Sequence, residues 1–213
     1  MKLYYHPLST YSHKVLIALY EKGIEFEPEI VQLMDPESRD RYREIYPIGK
    51  VPLLVDDNDY MVPESSIIIE FIDSMAEPTL ISGDADQTRK IRFKDRMYDL
   101  YLTESAGTLF FQSIKPEEQR DQDRIDEARR RIEVTYSFME MDFGGQPFSN
   151  GAEFSMSDCA AAAGLFYAEK FVPFEDKPNL TDYWNRLKSI PSVQRVHAEA
   201  APHLEAMMKQ AAA

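Results

Sequence analysis

The sequence contains a single cysteine, Cys159, among its 213 residues. One thiol excludes an internal disulfide, a CxxC redox pair and a cysteine-rich metal site, and we expect no bound metal. Basic residues are also scarce, since 24 Lys and Arg stand against 37 Asp and Glu, a net charge of −13. Because nucleic-acid binding requires clustered Lys and Arg that neutralise phosphates, this composition argues against a nucleic-acid partner.

Long hydrophobic runs are missing as well. No stretch approaches the roughly 18 consecutive apolar residues of a membrane-spanning helix. Residues 1–5 lead directly into a strand pattern, without the apolar core and small-residue cleavage site of a signal peptide. We therefore expect a cytoplasmic protein with no membrane partner. A hydrophobic content of 44% permits a packed core, in one large domain or two small ones.

The strongest local signal is the apolar segment 51–55, which has the length and composition of a buried strand. Pro52 lies near its start and removes a ladder hydrogen bond, and a cis Val51–Pro52 peptide would turn the chain just before the strand. The polar residues 56–59 predict a turn, and 60–62 predict a second, antiparallel strand. A helix is predicted from about Ser65, because apolar residues then recur at helical spacing.

The start of this helix has the features of a ligand site. A helix N-terminus offers unpaired N–H groups and a partial positive charge that suit a carboxylate, and here Ser65 adds a hydroxyl beside Glu64. The backbone of Val51, released from the ladder by Pro52, is suited to binding an extended peptide as an added strand. These residues favour a small peptide or carboxylate ligand, and the alternative is that Ser65 is an ordinary N-cap.

The order of the predicted elements divides the chain in two. Residues 1–78 read as strand, helix, strand, helix, strand, strand, helix, an α/β unit that ends in an antiparallel pair. In this unit we place the first helix at 13–22 and the second strand at 24–33. The segment 77–84 breaks the pattern as a linker. The remainder reads as helical. One long helix or two are predicted at about 87–113, and further helices at about 116–141, 156–169, 180–189 and 193–201, the last followed by Pro202.

One helix of the second part has a distinctive beginning. Residues 155–158 resemble a capping box, with Asp158 where Glu or Gln is more usual. The helix that follows is apolar on nearly every side, so it must be buried. Cys159 lies in its first turn and is predicted to be a small core residue.

Four motifs follow one another along the chain in a distinctive order. They are Leu3-Tyr4-Tyr5 through Ser9-Thr10-Tyr11-Ser12, Gly49-Lys50-Val51-Pro52-Leu53, Pro63-Glu64-Ser65, and Gly151 through Phe154-Ser155-Met156-Ser157-Asp158. Together they resemble the cytosolic glutathione S-transferase family, in its serine-type, bacterial-like form, over essentially the whole chain. The resemblance implies a thioredoxin-like domain over 1–78 and an all-helical bundle over 87–213. It also implies a homodimeric detoxification enzyme that uses glutathione as co-substrate and needs no metal.

The resemblance further assigns residues to glutathione binding. In the family, the residue before the cis-proline, here Val51, pairs its backbone with the cysteinyl part of glutathione. Glu64 and Ser65 match the pair that holds the γ-glutamyl end. Lys50 fits the position that approaches the glycine carboxylate. Tyr46 departs from the family pattern, in which an asparagine commonly stands at this point.

The implied chemistry is the generation of a glutathione thiolate, because a thiol attacks an electrophile only as its anion. A hydrogen-bond donor to the sulfur and a nearby helix N-terminus lower the thiol pKa, and the loop 9–12 supplies both. Ser9 and Ser12 fill the two positions that redoxins occupy with CxxC, so Ser9 is the first candidate for the donor. Tyr5, which aligns with the strand-end tyrosine of the tyrosine-type classes, and Ser12 are the alternatives. His13 is expected to face solvent.

A pocket for a hydrophobic electrophile is predicted on the first helix of the helical domain. Tyr98, Tyr101 and Thr108 have spacings that place them broadly on one face of that helix. Leu8 and Tyr11 would close the opposite wall from the loop. The alternative is that these aromatic residues form interdomain core or a dimer contact.

Two classes of function stay open. The first is a glutathione transferase, or a glutathione-dependent isomerase or dehalogenase that uses the same thiolate. The second is a noncatalytic interaction or regulatory protein that keeps the fold, since fold alone does not decide function. The intact set of Lys50, Val51, Pro52, Glu64 and Ser65 favours a working glutathione site.

Overall fold

The computed structural model describes residues 1–211. A mixed sheet with flanking helices forms first: β1 Lys2–Tyr5, α1 Thr10–Glu21, β2 Glu27–Ile30, α2 Pro36–Ile45, β3 Leu53–Val55, β4 Met61–Pro63 and α3 Ser65–Asp73. The strand order is β2-β1-β3-β4. β1 is parallel to β2 and antiparallel to β3, and β3 is antiparallel to β4. This arrangement is thioredoxin-like, so the fold predicted for the N-terminal part is confirmed.

The second part of the chain is helical. Its elements are α4 Ala85–Met97, a π-helical segment Tyr98–Thr103, α5 Glu104–Ser113, a short 3₁₀ turn Glu117–Gln119, α6 Gln122–Asp142, α7 Met156–Phe171, α8 Pro178–Ser189 and α9 Pro191–Ala211. The predicted helical bundle is confirmed. Over residues 1–211, no helix combines the length and the apolar character that crossing a bilayer requires.

Several elements have bounds that differ from those predicted, and α6, for example, begins at Gln122 rather than at 116. α1 begins at Thr10 rather than His13, because the Ser9 hydroxyl accepts a hydrogen bond from the Ser12 backbone N–H at 3.3 Å and caps the helix. β2 is shorter than 24–33, since its pairing with β1 covers only Glu27–Ile30. α9 continues through Pro202. Its packing against α1 and α8 outweighs the one helical hydrogen bond that a proline removes.

The π-helical segment changes the direction of the side chains on the first helix of the bundle. A π turn holds more residues than an α turn, so residues on either side of it lose their α-helical phase. Tyr98 is 0% exposed in the core, whereas Tyr101 is 49% exposed. The prediction that they share a face is therefore wrong. A Cβ on Gly164 of α7 would lie 2.8 Å from Leu102, so glycine permits the close approach of α7 to this segment.

α7 lies at the centre of the helical domain, and its N-terminus is closed by buried hydrogen bonds. The two oxygens of Asp158 accept from the Ser155 N–H at 2.9 Å and hydroxyl at 2.7 Å, from the Ser149 N–H at 2.8 Å and from the Tyr183 hydroxyl at 2.7 Å. The predicted capping box is confirmed. Cys159 is fully buried, as predicted.

Candidate functional site

Three chain segments meet at one edge of the sheet. β1 pairs with β3 so that Tyr4 lies opposite Leu53, and β3 pairs with β4 so that Leu53 lies opposite Pro63. The loop after β1, the residues before β3 and the residues after β4 therefore lie side by side. α1 and α3 both begin at this edge, because each directly follows one of these segments. Two helix N-termini thus converge on the loop before β3.

The N-terminus of α3 is open. Glu64 stands at its N-cap with φ 72° and ψ 123°, and no side chain of the described residues caps the helix. A non-glycine residue in this region costs on the order of 1–3 kcal/mol, and such strain is concentrated at binding sites. Ser65 lies inside the first turn, so it is not the ordinary N-cap of the alternative interpretation. The first-turn N–H groups remain available to an anionic ligand.

The loop before β3 is fixed by a hydrogen bond from α2. The Val51–Pro52 peptide is cis, which confirms that prediction. The Tyr42 hydroxyl donates to the Lys50 carbonyl oxygen at 2.8 Å and fixes the backbone at this point. The Val51 side chain is buried, whereas the Lys50 side chain is exposed. The loop therefore presents a positioned backbone and a solvated cation at the same edge.

The three candidate donors to a thiolate lie in different environments. Ser9 is half-buried at the N-terminus of α1, and because its oxygen accepts from Ser12, its hydroxyl hydrogen is free for another acceptor. Ser12 is 0% exposed, and its hydroxyl accepts from the His6 N–H at 3.4 Å. Tyr5 packs edge-on against Phe26, and burial raises its pKa. Of the three candidates, Ser9 has a hydroxyl that is partly accessible to a ligand and also stands at the N-terminus of a helix.

The prediction that His13 faces solvent is wrong. His13 is 1% exposed, and its Nε2 lies 2.5 Å from the Pro7 carbonyl oxygen. Its ring packs against Phe166 and Tyr167 of α7, with centroids 5.1 and 6.4 Å apart. Burial lowers the pKa of His13 to about 4, so the ring is neutral near pH 7. The first turn of α1 is covered by the other domain, which helical spacing does not reveal.

A buried ion cluster lies directly behind the N-terminus of α3. The Lys14 ammonium, on a residue 1% exposed, is 2.6 Å from an Asp95 oxygen and 2.7 Å from an Asp99 oxygen. It also donates to the Ser66 hydroxyl at 2.8 Å, and Ser66 donates to Asp95 at 2.7 Å. Burial raises the pKa of Asp99, while Lys14 opposes that shift. The cluster joins α1, α3 and the helical domain next to Ser65.

The ion cluster was not predicted, although the sequence contains a signal for it. Asp95 and Asp99 are four residues apart on one predicted helix, where like charges repel unless a cation lies between them. Lys14 in turn interrupts the apolar face of α1. A lysine within one buried face and an acidic pair on another element together indicate an ion pair between domains.

The residues of the predicted acceptor pocket do not line one cavity. Tyr101 borders a cavity of about 540 Å³ along α4, and Thr108 borders another of about 310 Å³ between α5 and α6. Tyr98 is buried away from both. Leu8 and Tyr11 line neither of these two cavities.

Leu8 and Tyr11 are hydrogen-bonded to the π-helical segment and to α7. The Tyr11 hydroxyl donates to the Asp99 carbonyl oxygen at 3.4 Å. The Leu8 carbonyl oxygen accepts from the Tyr167 hydroxyl of α7 at 3.0 Å. The C-terminal half of α7 is therefore a neighbour of this loop, a contact that no local sequence pattern predicts.

Comparisons with known proteins agree with this arrangement. The glutathione S-transferase N-terminal domain family matches residues 3–79, and the C-terminal domain family matches 102–191. Glutathione S-transferase 2 of Saccharomyces cerevisiae is 25% identical over 207 residues, which cover 92% of this chain and 89% of that protein. A stringent starvation protein A homolog of Coxiella burnetii is 30% identical over 169 residues, with 78% and 75% covered. A crystal structure of a glutathione S-transferase from Methylobacillus flagellatus with GSH bound has a TM-score of 0.83 at 24% identity, covering 92% of this chain and 98% of that one.

The fold and the site define a thioredoxin-like protein with an appended helical domain and an open helix terminus beside a cis-proline loop. The two domain families together cover most of the chain in the matching order. The chain belongs to the cytosolic glutathione S-transferase family, as its motifs indicated. Members of this family use glutathione, and the serine-type subclass of this chain stays a prediction.

Proposed function

We propose that this protein is a glutathione transferase that activates the glutathione thiol as a thiolate for attack on a hydrophobic electrophile. The observation that best supports this function is the open N-terminus of α3, at the same edge as Ser9 and the cis Val51–Pro52 peptide. A helix with a purely structural role gains stability from a side-chain cap. The strained Glu64 and the uncapped first turn favour a role in binding an anion.

The proposed binding mode uses the two ends of glutathione. The γ-glutamyl carboxylate lies at the first turn of α3, where Ser65 and Glu64 hold this end of the peptide. The backbone of Val51, next to Pro52, pairs with the cysteinyl part as an added strand. Lys50, which is exposed beside this backbone, approaches the glycine carboxylate. The sulfur then points towards the loop at the start of α1.

Ser9 is the proposed donor to the thiolate. A serine hydroxyl is too weak an acid to act as the base, so its role is to donate a hydrogen bond to the sulfur while the N-terminus of α1 stabilises the negative charge. The burial of Ser12 and Tyr5 makes them weaker candidates. The thiol proton passes to solvent before the thiolate attacks the electrophile.

Calorimetric titration of glutathione tests the binding site. Ser65→Ala should weaken binding by roughly 1.5–3 kcal/mol, because one hydrogen bond to a charged group is lost. Ser74→Ala, at the exposed far end of α3, is the matched control and should bind like the wild type. Equal affinity for wild type and Ser65→Ala would remove the α3 terminus from the site.

The pH dependence of turnover with 1-chloro-2,4-dinitrobenzene identifies the thiolate donor. Ser9→Ala should raise the apparent pKa of bound glutathione and lower kcat, while the affinity for glutathione changes little. Tyr5→Phe and Ser12→Ala are the matched controls. The variant that shifts the pH profile identifies the donor, and an unchanged profile in Ser9→Ala would contradict its role.

A noncatalytic interaction protein is the second candidate. The observation that favours it is the Coxiella burnetii relative, which is 30% identical over 169 residues, against 25% over 207 residues for the yeast transferase, and is not named as a transferase. Glutathione binding without turnover of any electrophile would support this alternative. A glutathione-dependent isomerase or dehalogenase would use the same thiolate and would appear as turnover of other substrates.

A homodimer is the proposed assembly, and the cytosolic family supports a cytoplasmic location. The α4 face combines positive charge with exposed aromatic rings: it contains Arg89, Arg92, Phe93, Arg96 and Tyr101. The β3–β4 hairpin carries acidic residues at 56–59 and an exposed Tyr60. A two-fold axis would place each α4 face against the partner's hairpin, with complementary charge. Sedimentation giving a mass of 24.7 kDa, the mass of one chain, at micromolar concentration would contradict the dimer.

A further inference from the structure

An aromatic surface with one lysine borders the loop that carries Ser9. On α7, Lys170 lies four residues after Phe166 and three after Tyr167, so the three side chains share a face. The Lys170 ammonium is 4.6 Å from the centroid of the Phe166 ring and 5.7 Å from that of Tyr167. Both distances are within the range of cation–π attraction. The ammonium therefore lies over the two rings, although Lys170 as a whole is exposed to solvent.

This surface is connected to the loop and to α5. The Tyr167 hydroxyl donates to the Leu8 carbonyl oxygen at 3.0 Å. Phe110 of α5 packs against Tyr167 with centroids 5.0 Å apart. Leu8, Phe110 and Phe166 are each half-buried, so each presents some apolar surface to solvent. An aromatic molecule on this surface would lie beside the residue that precedes Ser9.

Lys170 has no carboxylate partner among the residues that the structure describes. Its neighbour Glu169 pairs with Lys188 of α8 at 3.5 Å, and none of the ion pairs between described residues includes Lys170. Burial lowers the pKa of Lys170, which indicates that its charge is only partly hydrated. In a chain with a net charge of −13, a partly desolvated cation without an acidic partner is uncommon and is suited to an anionic ligand.

We propose that Lys170 selects electrophiles that carry a carboxylate on an aromatic body. The inference rests on the proposed transferase function and specifies its substrate class. The Leu8 side chain and the rings of Phe110 and Phe166 accept the aromatic body, and the ammonium forms a charge-assisted hydrogen bond with the carboxylate. The glutathione thiolate forms a C–S bond at the electrophilic carbon while the bond to the leaving group breaks. The leaving group departs with the electron pair of that bond.

The test compares turnover of 4-(chloromethyl)benzoate and 4-(chloromethyl)benzamide, which have similar size and the same leaving group but differ in charge. The wild type should show a kcat/KM about fivefold higher for the benzoate, as expected for one partly exposed ion pair. Lys170→Gln should remove this preference by lowering the benzoate value alone, and Lys170→Arg should retain it. Lys2→Gln is the matched control, because Lys2 also lies over an aromatic ring, 6.0 Å from the centroid of Tyr4, but on β1.

Binding without turnover separates this inference from the transferase function. Calorimetry with 4-methylbenzoate and 4-methylbenzamide, in the absence of glutathione, should show a preference for the benzoate that is lost in Lys170→Gln. That result in a protein that turns over neither these substrates nor 1-chloro-2,4-dinitrobenzene would support the anion site and overturn the transferase function. Equal benzoate-to-benzamide ratios in wild type and Lys170→Gln, in binding or in turnover, would overturn the role of Lys170 and leave the transferase function intact.

Discussion

The N-termini of α7 and α3 are built in opposite ways. At α7, Asp158 accepts four buried hydrogen bonds, from the Ser149 N–H, the Ser155 N–H and hydroxyl, and Tyr183. At α3, Glu64 has a positive φ, and no described side chain caps the first turn. Buried polar groups that are all paired contribute to stability, whereas unpaired N–H groups at an edge are available to a ligand. One terminus therefore serves folding, and the other is suited to binding.

The start of α1 is intermediate between these two. Ser9 caps the helix through its oxygen, yet its hydroxyl hydrogen is not needed for the cap. A single residue can therefore stabilise a helix and still donate to a ligand. Four predictions test how far the contrast between α7 and α3 extends, beginning with the largest effect.

Asp158→Ala should lower the free energy of unfolding by about 4 kcal/mol, because several buried donors lose their acceptor and each costs roughly 1–3 kcal/mol. Urea denaturation measures this loss. Asp121→Ala is the matched control, since Asp121 caps α6 with one exposed hydrogen bond to the Arg124 N–H at 3.1 Å. Its loss should cost about 1 kcal/mol. Equal effects of the two substitutions would show that burial of the α7 cap has no special role.

Lys14→Met should lower the free energy of unfolding by about 3 kcal/mol at pH 7, because Asp95 and Asp99 lose their buried partner. Without Lys14 the folded-state pKa of Asp99, which burial already raises, rises further above its unfolded value. The folded state then binds more protons than the unfolded state, so the deficit should shrink between pH 7 and pH 5.

Urea denaturation at both pH values measures this change in the Lys14 variant. Lys90→Met is its control, because Lys90 forms an exposed pair with Asp86 at 2.9 Å and should leave stability nearly unchanged. A deficit that does not depend on pH would show that the lost packing of Lys14, rather than its charge, supports the region behind α3.

The other end of α7 should make the protein sensitive to acid. His197 packs on Phe166, and burial lowers its pKa to about 4, as it does for His13. The unfolded state takes up a proton near pH 6.5, so the stability that these neutral rings contribute is present above that pH and is lost as pH falls towards 4.

Between pH 7 and pH 5, the free energy of unfolding should fall by about 1–2 kcal/mol less in His197→Phe than in the wild type. Phenylalanine can make the same ring packing as His197. The substitution should therefore change the free energy of unfolding at pH 7 less than it changes the dependence of that free energy on pH. Chemical denaturation across this pH range measures the difference. An identical pH dependence in both proteins would show that His197 already titrates normally in the folded state.

Glu64→Gly should raise the free energy of unfolding by up to about 1 kcal/mol, because glycine adopts a positive φ without strain. It should also weaken glutathione binding, since the carboxylate beside Ser65 is lost. Asp59→Gly is the matched control, as Asp59 also has a positive φ, of 61°, but lies in the hairpin turn. It should become more stable with unchanged affinity for glutathione. Lower stability in Glu64→Gly would contradict the idea that strain is stored at this terminus.

The elements that were predictable from the sequence carry strong local patterns. The capping box that ends in Asp158, the antiparallel pair β3–β4 and the helix at Ser65 each depend on residues close together in the chain. The cis peptide before Pro52 likewise followed from a proline at the start of an apolar segment. Local patterns of this kind survive folding because the hydrogen bonds and torsion angles involved span few residues.

The wrong predictions share a different origin. Tyr98 and Tyr101 were placed on one face by assuming an uninterrupted α-helix, but a π segment separates their directions. His13 was placed in solvent because the residue stands in a first turn, but α7 covers that turn. Neither the π segment nor the covering helix has a local signature near these residues, since both depend on how the two domains pack.

The sequence by itself determined the family, the order of strands and helices, and the motifs gathered at the open end of the sheet. Only the tertiary structure decided which polar groups are buried and paired, such as Lys14 with Asp95 and Asp99, and which ring surfaces adjoin the loop of Ser9. The physical reason is that hydrogen-bonding patterns and helical periods are properties of neighbouring residues. Burial is set by contacts between residues far apart in the chain, and those contacts exist only once the two domains are packed together.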